Sequence, residues 1–340
     1  MNAGMIHHAP IIIQSTEEKI KGRTALTKEK EHKMENRLTK THIVALLAVV
    51  CCLLWGSAFP MIKLGYAEFS VTAEDTASQI LFAGCRFTLA GIFAWMIGSV
   101  AAKRPLLPRK KTIWKIPVLS LFQTILQYLF FYMGLARCSG VKSSVINGTS
   151  AFVCILVSAL VFRMEKLTAP KLIACALGVG GIVIVNLGGS FDASFSFFGE
   201  GFMLLSMLAY AVSTVLVKRF SADDSPVMLS ALQFVLGGAV MIAAGLAFGG
   251  RLSVITPAGI AILLYLGMLS AVAYSLWSVL LKYNPVSKVA IFSFMTPICG
   301  VLLSALILGE TEQAFSVNAL VALVMVCAGI YIVNAKKEDG

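Results

Sequence analysis

The chain alternates long apolar stretches with short polar connections. A helix that crosses a membrane needs about 20 mostly apolar residues. Ten stretches of about that length follow one another along the sequence, at 43–66, 78–101, 113–136, 143–162, 170–187, 198–217, 227–249, 257–281, 286–308 and 315–334. The pattern therefore predicts an all-α polytopic membrane protein with ten transmembrane helices, and it leaves no room for a separate catalytic domain.

The second half of the chain repeats the first. Residues 135–160 match 281–306 at a constant shift of 146, and the same shift places Tyr128 over Tyr274. Shorter matches at similar shifts join 85–87 to 232–234, 180–186 to 328–334, Trp55 to Tyr210 and Lys63 to Lys218. The repetition divides the predicted helices into two sets of five.

Five is an odd number, so the second half must enter the membrane in the opposite sense to the first. We therefore expect inverted-topology repeats at 43–187 and 198–334, a disordered cytoplasmic tail over 1–42 and a short cytoplasmic tail over 335–340. Inverted repeats are typical of secondary transporters, whose substrate site lies near the membrane midplane between the halves.

The basic residues predict the orientation of the helices. Cytoplasmic connections retain Lys and Arg, and 23 of the 28 basic residues fall on one side if the amino terminus is inside. Both termini are therefore expected in the cytoplasm, with the connection 188–197 outside. The protein would be a multi-pass protein of the cell membrane.

Composition supports this interpretation and argues against two others. Hydrophobic residues make up 58% and charged residues 13% of the chain, whereas a soluble domain carries about 25% charged residues. The net charge of +11 follows membrane topology instead of forming a basic groove, so no nucleic-acid partner is expected. No phosphate-binding loop of the G-x-x-x-x-G-K-[ST] type occurs, which argues against ATP-driven transport by this chain alone.

Four segments carry a family resemblance, namely WGSAFPMIKLG (55–65), CRFTLAG (85–91), MEKLT (164–168) and MTPICGVLLSALILGE (295–310). In order, spacing and duplication they resemble the drug/metabolite transporter superfamily, in particular its EamA-domain branch. The resemblance covers about residues 43–334. It implies ten helices, two EamA repeats, and export of amino acids or other metabolites across the inner membrane.

Charges buried in a membrane are costly and therefore informative. None of the 17 Asp and Glu residues falls in the middle of a predicted helix, and the four histidines lie in the tail or at its junction with the first helix. No buried proton relay, metal site or cofactor is therefore expected. Arg86 either snorkels to the outer surface or faces the cavity and attracts a carboxylate. Gln233 occupies the equivalent position of the second half, which weakens any mechanism that needs two arginines.

Polar and aromatic positions recur on single faces of the helices that would surround a midplane cavity. Tyr128, Tyr274 and Trp277 lie well inside their spans, and the amide of Asn147 needs partners or water in hydrocarbon. The predicted cavity lining comprises Trp55, Ser57, Arg86, Gln127, Tyr128, Asn147, Tyr210, Thr214, Tyr274, Trp277, Ser293 and Thr296. Aromatic walls with a few convergent polar groups suit a small-molecule pocket, although such residues also serve helix packing.

Four further residues are candidates for opening and closing the cavity. Pro60 and Pro297 lie within helices, where the missing amide donor produces a kink that is either structural or a pivot. Glu165 and Glu310 follow the last apolar turn of equivalent helices. Each is either an interfacial acid that helps the next helix to begin or a gating or proton-linked group.

These features predict a secondary exporter of small polar or zwitterionic metabolites, with amino acids as the leading class, that rocks its halves about a midplane site. The expected partners are a small-molecule substrate and membrane lipid, and a homodimer is compatible with the sequence. A nucleotide-sugar or phosphorylated-sugar carrier is one alternative, but its phosphates would require several cavity cations. A non-transporting membrane sensor is another. An enzyme is not expected, because it would need a buried nucleophile with a base, or a metal.

Overall fold

The computed structural model describes residues 35–72, 74–135, 137, 146–185, 196–308 and 317–335. By packing, the chain divides into Met1–Val44 and Ala45–Gly340. The described elements are helical, and the ten longer segments are α1 (Thr41–Glu68), α2 (Thr76–Ala102), α3 (Lys115–Leu135), α4 (Ser150–Val161), α5 (Ala169–Val185), α6 (Phe197–Phe220), α7 (Pro226–Ala247), α8 (Pro257–Tyr283), α9 (Val286–Leu308) and α10 (Val317–Ala335). The all-helical architecture agrees with the sequence pattern.

Six of these segments, α1, α2, α3, α6, α7 and α8, are long and apolar enough to cross a membrane by length and composition. The other four contain shorter apolar helices, at Ser150–Val161, Ala169–Ile184, Val286–Gly300 and Leu320–Asn334. These are the fourth and fifth segments of each half. The described helices therefore fit a multi-pass membrane protein, while ten complete spans stay a prediction.

The distribution of polar and apolar side chains is inverted relative to a water-soluble protein. Large apolar side chains point outward, among them Val100 (78% exposed) and Val317 (76% exposed). Polar side chains such as Gln123, Gln127 and Gln233 are buried between the helices. A water-soluble monomer rarely exposes such extended apolar surface, so lipid is the solvent that fits the outer face.

Several helices depart from regular α geometry. The middle of α3 is a π-helical turn over Leu121–Leu126, and α9 begins with Val286–Ala290 followed by a 3-10 turn over Ile291–Phe294. Pro297 explains the second departure, because a proline removes the amide that would bond the carbonyl four residues earlier and its ring crowds that carbonyl. The apolar pattern alone predicts uninterrupted helices at both places.

The helices α7 and α8 begin with the same local device. Ser225 and Thr256 accept hydrogen bonds from backbone amides in the first turn, and each is followed by a proline at the first helical position. A side-chain oxygen satisfies an amide that lacks an intrahelical partner, and proline suits a position whose amide needs none. At α2 the side-chain and backbone hydrogen bonds from Ser78 hold the pKa of the capping Asp75 below its ordinary value.

The helix pairs α2–α7 and α5–α10 pack at close range through small residues. A Cβ on Gly91 would lie 2.6 Å from the carbonyl oxygen of Ala231, and one on Gly84 would lie 3.0 Å from that of Gly238. The sequence repeat carries residue 84 onto 231 and residue 91 onto 238, so each contact is the image of the other. The α5–α10 pair repeats this arrangement, because Gly181 approaches Ala322 as Gly329 approaches Ala174.

The connections between helices contact one another in two separate groups. In the first group, Thr256 Oγ1 donates a hydrogen bond to Glu68, and the amide of Arg251 donates to Ser78 Oγ at 2.8 Å. These residues belong to the connections after α1 and α7 and to the adjoining helix ends. We refer to this part of the molecule as the Arg251 end.

The second group lies at the other ends of α7 and α8 and contains buried ion pairs. Lys115 Nζ lies 2.8 Å from Asp224 Oδ2, and Lys171 Nζ lies 3.1 Å from Glu165 Oε2. Lys218 Nζ donates to the carbonyl of Leu281, 3.2 Å away, near the carboxyl end of α8. We refer to this part as the Glu165 end. In the predicted topology these connections share one side of the membrane.

Candidate substrate-binding site

The two halves meet at residues that occupy equivalent positions in the sequence repeat. Tyr128 of α3 and Tyr274 of α8 are 146 positions apart, and their hydroxyl oxygens lie 2.8 Å from each other. Phe87 of α2 and Phe234 of α7 are matched in the same way, and their rings stack with centroids 5.2 Å apart. In a two-fold interface a residue contacts its own equivalent only at the axis. We therefore call these four residues the axial cluster.

A polar contact occurs twice beside the axial cluster, once in each half. Arg86 Nε donates to Ser270 Oγ at 3.1 Å, and Thr124 Oγ1 donates to Gln233 Oε1 at 2.7 Å. The repeat carries Arg86 onto Gln233 and Thr124 onto Ser270. The two hydrogen bonds are thus images of each other, with a cation in one half and a neutral amide in the other.

A second duplicated contact joins the helices that flank this cluster. Cys51 Sγ of α1 donates to the carbonyl oxygen of Ala273 in α8 at 3.5 Å. Ser206 Oγ of α6 donates to the carbonyl oxygen of Gln127 in α3 at 2.7 Å. The repeat carries the first pair onto the second, so α1 packs on α8 as α6 packs on α3.

Arg86 faces the interior of the helix bundle. Arg86 is only 5% exposed. Its partner Ser270 lies midway along α8, and its guanidinium carbon lies 5.1 Å above the ring of Phe87. A snorkelling side chain would place its charged group at the end of a helix. The snorkelling alternative for Arg86 therefore does not hold in this structure.

Tyrosine side chains surround the charge of Arg86, and no ion pair with an acid is found for it among the described residues. The hydroxyls of Tyr66, Tyr128, Tyr132 and Tyr274 lie close enough to interact electrostatically with the guanidinium. In the part of the chain that the structure describes, the acidic groups in ion pairs bind other cations. The same residues contain no group of three or more His, Cys, Asp or Glu side chains that could hold a metal ion.

Indole rings form a wall next to the axial cluster. Trp55 contacts Tyr274 and Trp277 edge to face, with ring centroids 5.1 and 5.0 Å apart. The indole nitrogens of Trp55 and Trp277 are buried and have no hydrogen-bond partner among the described residues. The Oε1 atom of Gln127 is buried and unpartnered in the same sense. Unpaired buried polar groups are costly, so these atoms are candidates for contact with a ligand.

The hydroxyls of three other predicted cavity residues already have hydrogen-bond partners in the protein. Ser57 bonds Tyr265 Oη at 2.8 Å, on the half of α8 nearer the Arg251 end. Thr214 Oγ1 donates to the carbonyl of Tyr210 at 2.9 Å, and Ser293 Oγ donates to a carbonyl in its own turn at 2.8 Å. The hydroxyls of Thr214 and Ser293 thus bond within their own helices, that of Ser57 joins α1 to α8, and all three are already occupied.

The remaining predicted residues lie near the boundaries of the described segments or within helices. Asn147 is half-buried in a helical turn over 146–148, and Thr296 and Pro297 are half-buried in α9. Pro60 is buried within α1. Glu310 lies outside the described residues, so its predicted role has no structural description.

Glu165 binds a helix start, but not that of the next helix. Its carboxylate accepts hydrogen bonds from the backbone amides of Val286 and Ser287 and from Ser287 Oγ, and it pairs with Lys171. These amides begin α9, whereas the next helix in the chain is α5. The carboxylate therefore stabilises the amino terminus of a helix in the other half, where the helix dipole favours negative charge.

An open depression of about 850 Å³ lies beside Glu165 and is lined by residues 159–160 and 163–167. Its lining comes from the end of α4 and the connection that follows. The side chains of the axial cluster do not contribute to it. We regard the axial cluster as the better candidate site, because a buried cation and unpaired polar atoms converge there.

The predicted cavity lining omits four residues that the structure places in the candidate site. Phe87 and Phe234 belong to the axial cluster, and Thr124 and Ser270 bind the two equivalent polar residues. The repeat contained the signal, because the shift that matches Tyr128 to Tyr274 also matches Thr124 to Ser270.

Comparison with known proteins agrees with this architecture. An uncharacterized transporter of Archaeoglobus fulgidus is 28% identical over 308 residues, which cover 88% of this chain and 99% of the relative. A probable amino-acid metabolite efflux pump of Salmonella typhimurium is 28% identical over 316 residues, which cover 86% and 94%. An uncharacterized inner membrane transporter of Escherichia coli is 22% identical, with coverage of 84% and 90%.

A solved crystal structure has the same fold, with a TM-score of 0.70 at 18% sequence identity. The match covers 86% of this chain and 96% of the solved one. The model of the EamA-like transporter family matches residues 42–187 and again residues 197–335. Since these two matches include most of its length, the chain belongs to the EamA-like transporter family.

Proposed function

We propose that this protein is a secondary transporter that exports small polar or zwitterionic metabolites, with amino acids as the leading class. The observation that carries the proposal is the hydrogen bond between Tyr128 and Tyr274. Two equivalent residues of a duplicated chain meet there, beside a buried cation and unpaired polar atoms. A midplane site between inverted repeats is the arrangement expected of secondary transporters.

The proposal includes ten transmembrane helices in two inverted repeats, 43–187 and 198–334. The two separate family matches support this division, as do the duplicated contacts of α2 with α7 and of α5 with α10. Substrate would reach the axial cluster from one side at a time. Pro60 and Pro297 are the proposed pivots for that movement, and the contact of Glu165 with α9 would hold the Glu165 end together.

The proposed location is the inner or plasma membrane, with both termini in the cytoplasm. The distribution of basic residues supports this orientation, and one relative is named an inner membrane transporter. The Glu165 end would then face the cytoplasm and the Arg251 end the outside. Labelling of a cysteine introduced at exposed Ser253 in intact cells tests the assignment, and protection of that cysteine would reverse it.

The site supports a singly charged substrate better than a phosphorylated one. Of the buried cations that the described residues contain, Lys115 and Lys171 lie at the Glu165 end in ion pairs, which leaves Arg86 beside the axial cluster. A nucleotide sugar or sugar phosphate would bring at least two negative charges into that cluster. Its transport would require further cations there.

Flux measurements in proteoliposomes test the proposed function. We expect saturable exchange of at least one radiolabelled amino acid in a panel of the twenty common ones, with protein-free liposomes as the control. Absence of saturable flux for amino acids and for a wider metabolite panel would contradict a transport function. Binding without flux would instead support a membrane sensor.

A further inference from the structure

The charge balance around the axial cluster is incomplete. Arg86 is 5% exposed and lies near the middle of α2 and α8. Its hydrogen-bond partner among the described residues is the neutral hydroxyl of Ser270. Among the described residues it has no ion pair, so the guanidinium carries a full positive charge into the bundle without a counter-charge.

The other buried cations of the described chain are treated differently. Lys115 is paired with Asp224 at 2.8 Å and Lys171 with Glu165 at 3.1 Å. An unpaired charge away from water is far more costly than a neutral polar group. The described residues pair both buried lysines but leave Arg86 without a counter-charge. A bound ligand could supply that charge.

The surroundings of Arg86 favour a ligand that accepts hydrogen bonds. The indole N–H groups of Trp55 and Trp277 are buried donors without partners, and the guanidinium has donors beyond the one used by Ser270. Gln127 Oε1, one residue before Tyr128, is a buried acceptor without a partner among the described residues. A cation with spare donors, and with no acid paired to it in the described part of the chain, suits an anionic ligand.

We infer that Arg86 binds the carboxylate of the transported substrate, and that the aromatic rings of Trp55, Trp277 and Tyr274 contact the apolar body of the same molecule. The substrate class is then monocarboxylates with an apolar or aromatic body, amino acids included. This inference rests on the proposed function. A guanidinium presents two parallel N–H groups to a carboxylate.

The inference gives the two ends of an amino acid unequal weight. The carboxylate is required, because it supplies the missing counter-charge. The contacts available to the ammonium group, Gln127 Oε1 and the faces of the aromatic rings, are neutral. Since no charge of the site depends on it, we expect the ammonium group to be dispensable. A monocarboxylate without an amine should bind, and an amine without a carboxylate should not.

Two matched ligand series separate these contributions on the purified full-length protein. The first is phenylalanine, 3-phenylpropanoate and 2-phenylethylamine, and the second is leucine, 4-methylpentanoate and 3-methylbutylamine. The measurements are the shift in melting temperature, which rises when a ligand binds the folded state, and the dissociation constant from the same titration. Flux of each compound in proteoliposomes is measured in parallel.

We expect the amino acid and the carboxylate of at least one series to bind, and both amines to fail. Arg86→Gln should weaken carboxylate binding by about thirtyfold or more, as removal of one partner of a desolvated charge pair does. Arg86→Lys should restore part of it, since a lysine keeps the charge but not the fork. Arg251→Gln, at an exposed position, is the matched control and should bind as the wild type does.

A structural role for Arg86 predicts a different pattern. Arg86→Gln would then melt at a much lower temperature without ligand while keeping its affinity, and that result would overturn the inference. Amines that bind and are transported independently of Arg86 would also overturn it, although transport would stand. Carboxylates that bind through Arg86 without any flux would uphold carboxylate binding at this site and overturn the proposed transport. Absence of binding and flux for every compound would overturn both.

Discussion

The axial cluster and the Glu165 end both join the two halves of the molecule, yet they use charge in opposite ways. At the Glu165 end, Lys115 and Asp224 and likewise Lys171 and Glu165 form buried pairs with short distances. Beside the axial cluster, Arg86 contacts the hydroxyl of Ser270 and the ring of Phe87. The buried charges of the first region are neutralised by side chains of the protein, whereas the charge of Arg86 has no counter-charge among the described residues.

Under the proposed function, this difference separates residues that stabilise the fold from residues that bind the substrate. Where a buried charge is paired, removal of its partner destabilises the fold. Where a buried charge is unpaired, the ligand-free protein is less stable than it would be with a neutral side chain at that position. Natural proteins retain such costs at functional sites. Substitutions in the two regions should therefore have opposite signatures, with stability affected at one and ligand binding at the other.

A second charge beside the axial cluster should have the largest effect. Gln233→Arg would place a cation at the position equivalent to Arg86, where the described residues offer no ion-pair partner to Arg86 either, and we expect a loss of about 3 kcal/mol or more of stability. Gln233→Met is the matched control, because it keeps the volume without the charge. A melting temperature of Gln233→Arg equal to that of the control would contradict the view that this region lacks counter-charges.

Removal of the charge of Glu165 should come next. Glu165→Gln weakens the contacts with the start of α9 and removes the carboxylate that pairs with the buried ammonium of Lys171, and we expect a cost of about 2 kcal/mol. The measurement is the melting temperature of the purified protein, with Lys166→Gln as an exposed neighbouring control. If ligand affinity falls while stability is unchanged, Glu165 belongs to the binding site and not to the structural end.

The aspartates 223 and 224 provide a matched pair at the same end. Asp224 is 3% exposed and Asp223 69% exposed, and both contact Lys115. Asp224→Asn should cost about 1.5 kcal/mol because a charged hydrogen bond is lost in a buried place. Asp223→Asn should cost much less, since exposed ion pairs contribute little. Equal losses would show that burial at this end does not control the strength of the pairs.

The same aspartate predicts a pH dependence. Burial alone would raise the pKa of Asp224, but hydrogen bonds from Lys115, Thr112 and Arg109 outweigh it and lower the pKa below the ordinary value of 3.8. A lowered folded-state pKa gives a stabilisation that is complete above 3.8 and is lost as the pH falls through the folded-state value. We expect the difference in melting temperature between wild type and Asp224→Asn to shrink in that acidic range and to be constant at neutral pH.

The axial tyrosines should show a smaller effect, on binding instead of folding. Tyr128→Ala or Tyr274→Ala removes a ring and a hydroxyl next to the ligand, and we expect a loss of about 1 kcal/mol in binding, which is several-fold in affinity. Membrane insertion should be unchanged, because it depends on overall apolarity. Tyr331→Ala, exposed on α10, is the control. A lowered melting temperature with unaltered affinity would show that the rings only fill the core.

Much of the fold follows from the sequence because the bilayer requires long apolar helices. The apolar stretches and the internal repeat predict the helical architecture and the family, which the comparisons confirm. The repeat also indicates which residues are equivalent. It does not indicate that Tyr128 and Tyr274 touch, because equal depth in two helices says nothing of the distance between them.

The direction of Arg86 and the partner of Glu165 were beyond sequence reasoning for two different reasons. The helix α2 is apolar on most of its surface, so the pattern gives no interior face and leaves both directions of Arg86 open. Glu165 binds an amide 121 positions away, and a preference of acids for helix starts does not specify which helix. Tertiary packing decides both.

Exchange of Arg86 and Gln233 tests most directly whether a single unpaired cation beside a symmetric axis makes the binding site. The double variant Arg86→Gln/Gln233→Arg keeps one charge and offers it Thr124 in place of Ser270. In the carboxylate titrations we expect it to melt near the wild-type temperature and to regain much of the affinity lost in Arg86→Gln alone. A double variant that is as stable as the wild type but binds no better than Arg86→Gln would contradict this account.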